Sequence, residues 1–339
     1  MTQPSLVEAS FMSPVFVVGP PRSGTTLTAR LLGGLPRLFM PGETHFLEDI
    51  HHRYGDPGDL SAHLPEILAR LRTLYGRFEE PEDQRRIERL CQSGALERAL
   101  CGCRNHREIF DAFMRLQAAD AGKARWGNQV PRDVFELDTI FWMFPDARVV
   151  ACIRDPRDFL VSYRDKWTIA GADGPRLRRL YHPVLTSYLW KASALAIVAA
   201  KSRFGAAVHV IRYEDLVAEP DSNLRRLCSF IGEEFHPGLL DTQFSNSSTG
   251  ARFAGISSTS AGRWRADLPA EDAYFAQKIC GAVMQKFAYA PVKLAPDPLK
   301  TARLALAAPA RTISALAANR GTRGSTFRYL ARRIRVLVT

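Results

Sequence analysis

The stretch Val15-Phe16-Val17-Val18-Gly19-Pro20-Pro21-Arg22-Ser23-Gly24-Thr25-Thr26 decides the fold class. Its first four residues are a short apolar, largely β-branched run, the kind that forms a strand buried on both faces. The glycine-containing turn that follows leads into Leu27, Arg30, Leu31 and Leu32 at helical spacing. Strand, turn and helix make half of a βαβ unit. The turn nearly fits G-x-x-x-x-G-K-[ST], a pattern whose backbone N–H groups and helix N-terminus cradle phosphate. It departs at one place: Thr25 stands where the lysine belongs, and a cation comes earlier, as Arg22. Nucleoside triphosphatases use that lysine on the β and γ phosphates and the next hydroxyl on Mg²⁺. This loop is equipped to hold a phosphate and poorly equipped to cleave a triphosphate.

Outward from this unit, Arg148-Val149-Val150-Ala151-Cys152-Ile153 reads as a second strand, followed by Arg154-Asp155-Pro156 and a helix through about Lys166. A third strand, Val208-His209-Val210-Ile211, precedes Arg212-Tyr213-Glu214-Asp215. Helices fill the gaps, among them about 183–204 and 221–231. Strands alternating with helices predict an α/β fold with a mainly parallel sheet covered by helices on both faces. Residues about 60–125 show apolar periodicity and no convincing strand, so they read as a helical insertion in one domain spanning 1–294. The Ser/Thr/Gly-rich stretch 241–262 reads as a loop. Arg154 stands at the C-terminal end of its strand, the edge where open α/β sheets bind ligands. Ser162 follows about two helical turns later, so both can reach one phosphate.

The charge is distributed unevenly. The 339 residues carry 46 Lys and Arg against 35 Asp and Glu, a net charge of +11. Such a balance points to an anionic partner. The segment 295–339 holds nine of those cations and only Asp297, which leaves +3 for the rest. A nearly neutral body argues against a nucleic-acid-binding fold. Six cysteines at irregular spacing make no disulfide framework. Cys101 and Cys103 with Cys91 and His106 have C-x-C rather than C-x-x-C spacing and no second pair, so no metal site is expected. The N-terminus lacks the basic and apolar regions of a secretory signal, and no run has the roughly 18 apolar residues of a membrane span. A reducing cytoplasm is the expected location.

Four segments together resemble the sulfotransferases that use 3′-phosphoadenosine 5′-phosphosulfate (PAPS). Gly19 to Leu27 resembles their loop for the 5′-phosphosulfate. Phe144-Pro145-Asp146-Ala147-Arg148-Val149 through Arg154-Asp155-Pro156-Arg157-Asp158-Phe159-Leu160-Val161-Ser162 resembles their 3′-phosphate motif. Tyr213-Glu214-Asp215-Leu216 and Gly262-Arg263-Trp264-Arg265 fit two later segments, the second being the loop that covers the cofactor. The resemblance spans roughly residues 14–290, in matching order. It implies a P-loop-like sulfotransferase fold with PAPS as co-substrate and no metal. Arg22, Ser23, Gly24, Thr25 and Thr26 would then hold the 5′-phosphosulfate, and Arg154 and Ser162 the 3′-phosphate. Tyr213 would lie near the adenosine, and Arg263 would close over the 3′-phosphate. The missing lysine has a reason in this light, since sulfuryl transfer does not need Mg²⁺.

Transfer of SO₃ to a hydroxyl or amine needs a base, cations at the developing charge, and partners held in line. Arg22 suits the cationic role. Glu43, in Pro41-Gly42-Glu43-Thr44-His45-Phe46-Leu47, resembles the base-supplying stretch of tyrosylprotein and glycan sulfotransferases; His45 is the rival base, because its ordinary pKa near 6.5 suits proton transfer. Many relatives carry Lys before Pro where this chain has Gln129-Val130-Pro131, and a glutamine donates hydrogen bonds without positive charge. Arg132 is the nearby cation.

The tail divides at its middle. Residues 301–319 are Ala/Leu-rich, and Pro309 is expected to break any single helix there. Residues 325–339 place Phe327, Leu330, Ile334 and Leu337 at helical spacing beside Arg328, Arg332 and Arg335. That pattern fits peripheral contact with the anionic inner membrane surface; a helix packed on the domain or a solvated tail is the competing reading. The sequence thus reads as a PAPS-dependent sulfotransferase whose acceptor class, glycan, lipid, small molecule or tyrosine, is open, as is its oligomeric state. The alternatives are a P-loop kinase or nucleotide hydrolase, and a non-catalytic basic protein that binds nucleic acid or membrane.

Overall fold

A computed structural model describes residues 13–318 apart from 57, 76–80, 167–173, 242, 246–251 and 255, together with 334, 336 and 337. Five parallel strands form the central sheet in the order β2-β3-β1-β4-β5: β1 (Val15–Val18), β2 (Leu38–Phe39), β3 (Arg125–Gln129), β4 (Arg148–Ile153) and β5 (Val208–Arg212). The expected fold class holds. All five strands run the same way, so their C-terminal ends share one edge.

Strand β1 explains why its sequence is apolar throughout. Phe16 and Val18 face one core, Val15 and Val17 the other, and all four are fully buried. On the first side Phe16 packs against Phe110, Trp126 and Phe144, with ring centroids 6.4, 5.7 and 5.9 Å away. On the second, Leu31 and Leu32 of helix α1 (Thr25–Gly33) join Leu224 and Leu227.

In the central sheet, strands β2 and β3 were not expected from the sequence. Between them lie helices α2 (Leu64–Tyr75), α3 (Pro81–Gln92), α4 (Ala95–Leu100) and α5 (His106–Asp120). The expected helical run therefore stops short of Arg125, where β3 begins beside β1. The β3 sequence RWGNQ escaped notice because it is polar, yet every residue in it is buried. Arg125 is satisfied by partners remote in sequence: its guanidinium donates to Ser13 O at 2.5 Å, Ser13 Oγ at 3.0 Å and Ile231 O at 2.6 Å, and pairs with Glu233 at 3.0 Å. Gly127 lets the sheet close, since a Cβ there would sit 2.7 Å from Val15 O and 2.2 Å from Met40 Sδ.

The second half of the chain adds α6 (Leu137–Met143), α7 (Pro156–Asp165), α8 (Gly174–Leu180), α9 (Pro183–Phe204), α10 (Tyr213–Ala218) and α11 (Pro220–Ile231). It continues with α12 (Trp264–Asp267), α13 (Ala270–Gln285) and α14 (Pro298–Ala318). Helix α9 is long and apolar enough to cross a membrane, but 56% of that window is buried inside the fold, where Trp190 and Ile197 are core residues.

Two expectations are corrected here. The 241–262 stretch contains a short antiparallel hairpin, β6 (Gln243–Ser245) with β7 (Arg252–Ala254), rather than loop alone. Helix α14 also runs unbroken through Pro309. Proline removes one backbone donor and crowds the carbonyl four residues back; Pro309 and Ala305 both face solvent, so water can satisfy that carbonyl. The amphipathic reading of 325–339 lies outside the described residues except at 334, 336 and 337.

Candidate functional site

The C-terminal edge of the sheet collects the loops after all five strands. After β1 the chain turns sharply: Gly19 has φ 146°, and a Cβ there would fall 2.2 Å from Cys152 O of β4. Gly19 N donates to Pro131 O at 3.1 Å, which ties this loop to the one after β3. Arg22 (φ 71°) and Gly24 (φ 87°) are left-handed, which curls the backbone over the start of α1. Gly24 is the N-cap, so no side chain covers the first amides of α1, and its first turn holds no acid. A helix end of this kind favours an anion. Ser23 and Thr25 are buried and Thr26 is exposed.

After β4 comes Arg154, buried at the edge. Its Nη1 reaches Arg22 O at 3.4 Å, its Nη2 donates to Ser260 O, and its guanidinium lies 4.5 Å over the Tyr213 ring. No carboxylate forms an ion pair with it among the described residues. Tyr213, following β5, packs on the turn itself, because a Cβ on Gly24 would be 2.7 Å from its Cδ2. Ser162 on α7 accepts from Arg22 Nε at 3.2 Å. The two anion motifs recognised separately in the sequence therefore meet through Arg22 and Ser162.

The remaining charges of Arg154-Asp155-Pro156-Arg157-Asp158 build the frame. Asp155 caps α7 by accepting from Arg157 N at 2.8 Å and pairs with Arg157 Nη2 at 2.6 Å. Its own N–H donates to Glu214 Oε1 at 2.9 Å. Burial raises the Glu214 pKa, and Tyr289 OH donates to its Oε2 at 2.7 Å. Asp158 accepts from Gly262 N at 2.6 Å and Trp264 N at 2.8 Å, and burial raises its pKa also. Asp158 thus pins the 260–264 loop over Arg154. Arg263 in that loop pairs with Asp267 at 2.7 Å and Asp165 at 3.4 Å. Sequence reasoning assigned no role to Asp158, Glu214 or Ser260; the first two were inside quoted motifs, whereas Ser260 contributes a backbone carbonyl that carries no sequence signal.

After β2 the chain brings Glu43 and His45 together, His45 Nε2 lying 3.2 Å from Glu43 Oε2. The other ring nitrogen is 3.7 Å from Glu48 Oε2, and Glu48 pairs with Arg132 at 3.3 Å. His45 takes φ 50°, a conformation unusual for a residue with a side chain. Two bonds fix the segment: Thr44 Oγ1 donates to Asn128 Oδ1 at 2.8 Å, and Gly42 N donates to Asp83 on α3 at 3.0 Å. Strand β2 is two places from β1, roughly 10 Å at ordinary strand spacing.

Ser23 Oγ, Arg154 Nε and Gln129 Nε2 are among the buried donors at this edge that have no partner among the described residues. Gln129 closes β3 opposite Val17 of β1. Buried polar groups are ordinarily hydrogen-bonded, so three orphans together suit an anionic ligand with several oxygens. The cysteines considered as metal ligands form no disulfide, and His106 instead joins His51 and Asp56, with one ligand atom from each within 4.8 Å of the others. His106 also contacts Gly55 O at 2.5 Å.

Comparison with known proteins agrees with this arrangement. The profile described as "Sulfotransferase family" matches residues 14–237. Nodulation protein NoeE of Sinorhizobium fredii is 25% identical over 293 residues, covering 79% of this chain and 63% of its own length. Carbohydrate sulfotransferase 5 of Mus musculus is 29% identical over 183 residues, 46% of each chain. The chain therefore spans less than two thirds of the length of these curated relatives. Among solved structures, the sulfotransferase domain of the Synechococcus PCC 7002 olefin synthase superposes with a TM-score of 0.54 at 22% identity, over 83% of this chain and 97% of that one. The sulfotransferase domain from the curacin biosynthetic pathway gives 0.52 at 22% identity, over 83% and 99%. Profile and fold agree, and the chain belongs to the sulfotransferase family.

Proposed function

We propose that this chain transfers a sulfuryl group from PAPS to an acceptor hydroxyl or amine and releases adenosine 3′,5′-bisphosphate. The observation that carries this reading is the trio of buried, partnerless donors around the end of β1. Leaving the Nε of a buried guanidinium and two further polar donors without partners is unfavourable, and a ligand with anionic groups at both ends relieves it. Bound PAPS supplies a sulfuryl group already activated on a phosphate leaving group.

The residues of the chain then divide the work. Ser23, Gly24, Thr25 and Thr26 offer amides and hydroxyls to the 5′-phosphosulfate, with Arg22 neutralising charge that develops on its oxygens. Arg154 and Ser162 receive the 3′-phosphate, and Arg263 exchanges its acidic partners for it as the covering loop closes. Tyr213 flanks the adenosine. Glu43 takes the acceptor proton while the acceptor oxygen or nitrogen bonds to sulfur and the S–O bond to the 5′-phosphate breaks. His45, between Glu43 and Glu48, orients the base. A glycan hydroxyl is the first acceptor to test, because one relative is named a carbohydrate sulfotransferase.

Calorimetry with adenosine 3′,5′-bisphosphate against ATP and AMP tests the donor. The bisphosphate should bind at least tenfold tighter; equal or absent binding refutes the reading, and a preference for ATP favours a kinase or hydrolase. Glu43→Gln should keep nucleotide affinity and lower sulfuryl transfer to a panel of glycan, lipid, phenol and tyrosine acceptors by about 10²–10⁴-fold, the usual reach of a general base. Full activity would move the base to His45.

A further inference from the structure

Helix α14 is built unlike the other long helices, for it has no buried residue anywhere along its 21 positions. One side lies against α8 and α9. The opposite side presents Leu299, Leu306 and Ile313 at 60%, 82% and 70% exposure. A seven-residue step turns a helix by almost two full turns, so these three side chains form a nearly straight stripe about 21 Å long. Ala302, Pro309 and Ala310 are also exposed and fill the gaps, so the stripe is continuous apolar surface. Exposed apolar surface of this extent marks an interaction site.

The surroundings identify the partner. Helix α14 contains Lys300, Arg303 and Arg311 and no acidic residue. Arg303 borders the stripe, and Arg178 and Arg179 are exposed on the neighbouring α8. The chain beyond α14 adds six arginines and no acid. A second copy docking stripe to stripe would bring two strongly cationic surfaces together, which disfavours self-association. A planar anionic surface with an apolar interior satisfies both features at once: headgroups take the cations, and the Leu and Ile side chains enter the acyl boundary. We propose that α14 lies in the surface of anionic phospholipid bilayers, with Leu299, Leu306 and Ile313 as its inserted side chains.

No residue of α14 is among those assigned to the donor, so the proposal stands or falls independently of the donor. The test is cosedimentation of the full chain with phosphatidylcholine vesicles, pure or one-third phosphatidylglycerol, beside the double variant Leu306→Glu/Ile313→Glu. Both substituted positions are exposed, so folding is unaffected, and unchanged calorimetric affinity for adenosine 3′,5′-bisphosphate checks it. The parent should sediment only with the anionic vesicles, less so at high salt, and the variant should bind at least tenfold more weakly. Three results overturn the proposal: a parent that stays in the supernatant, a variant that sediments as well as the parent (binding through the tail arginines alone), or a parent dimer in light scattering that the variant abolishes.

Discussion

At the residue scale, Gln129 stands where the resemblance to the family leads one to expect a lysine. A lysine before proline would bring a charge to the end of β3, where this chain brings an amide whose Nε2 is buried without a partner among the described residues. An unmatched buried donor is unfavourable by about 1–3 kcal/mol, so nothing in the apo protein rewards it. Gln129→Leu should therefore leave the denaturant midpoint unchanged or raise it. If the amide donates to a sulfuryl oxygen, the same variant lowers kcat by about 10²–10³-fold, as loss of an oxyanion donor does elsewhere. A variant with parental kcat would mean that the amide does not touch the reacting group. Arg22, Ser23 and Arg154 were legible in the sequence because their motifs are contiguous; the bond from Arg22 to Ser162 was not, since 140 residues separate them.

At the scale of elements, β3 is held by polar contacts where β1 is held by apolar burial. The Arg125 side chain is fully buried, and Glu233 opposite is almost so. Burial pushes the Arg125 pKa down, while Glu233 opposes that shift. Removing one member of such a pair leaves the other charge buried alone, at a cost of about 3–5 kcal/mol. Arg125→Leu should lower the stability measured by urea denaturation by that amount. Restoring half or more with Glu233→Leu would show that the stranded carboxylate is the cause; no recovery would assign the loss to the carbonyls of Ser13 and Ile231. Helices such as α9 and α11 were readable from apolar spacing. Strand β3 was not, because Arg125 and Asn128 signal a surface until their partners on Ser13, Thr44 and Glu233 are known.

For the whole molecule, acid response follows from the histidines. Burial lowers the pKa of His106, His182 and His209, with Arg311 adding to the effect on His182 and Lys201 and Arg226 on His209. A depressed folded pKa means that the unfolded chain takes up protons first. Each histidine therefore contributes stability in full above about pH 6.5, and that contribution is lost as pH falls toward the folded value. Asp158 and Glu214, raised by burial, act with the opposite sign. A difference measurement removes them: between pH 7.5 and 5.5 the parent should lose more stability than His209→Phe, by at most about 1.4 kcal/mol per pH unit. Equal losses would show that His209 titrates normally.

The sequence by itself determined the α/β class, the strand–turn–helix unit that opens at β1, and the family its motifs resemble. Each depends on neighbours within one strand–turn–helix unit, where hydrophobic period and backbone freedom are written in consecutive residues. The tertiary structure alone decided that polar β3 lies beside β1 and that Asp158 anchors the covering loop. It also decided that α14 continues through Pro309 with Leu299, Leu306 and Ile313 toward solvent. Those outcomes depend on which remote groups satisfy a buried charge or cover an apolar face, and only the closed chain brings such groups within a few ångströms.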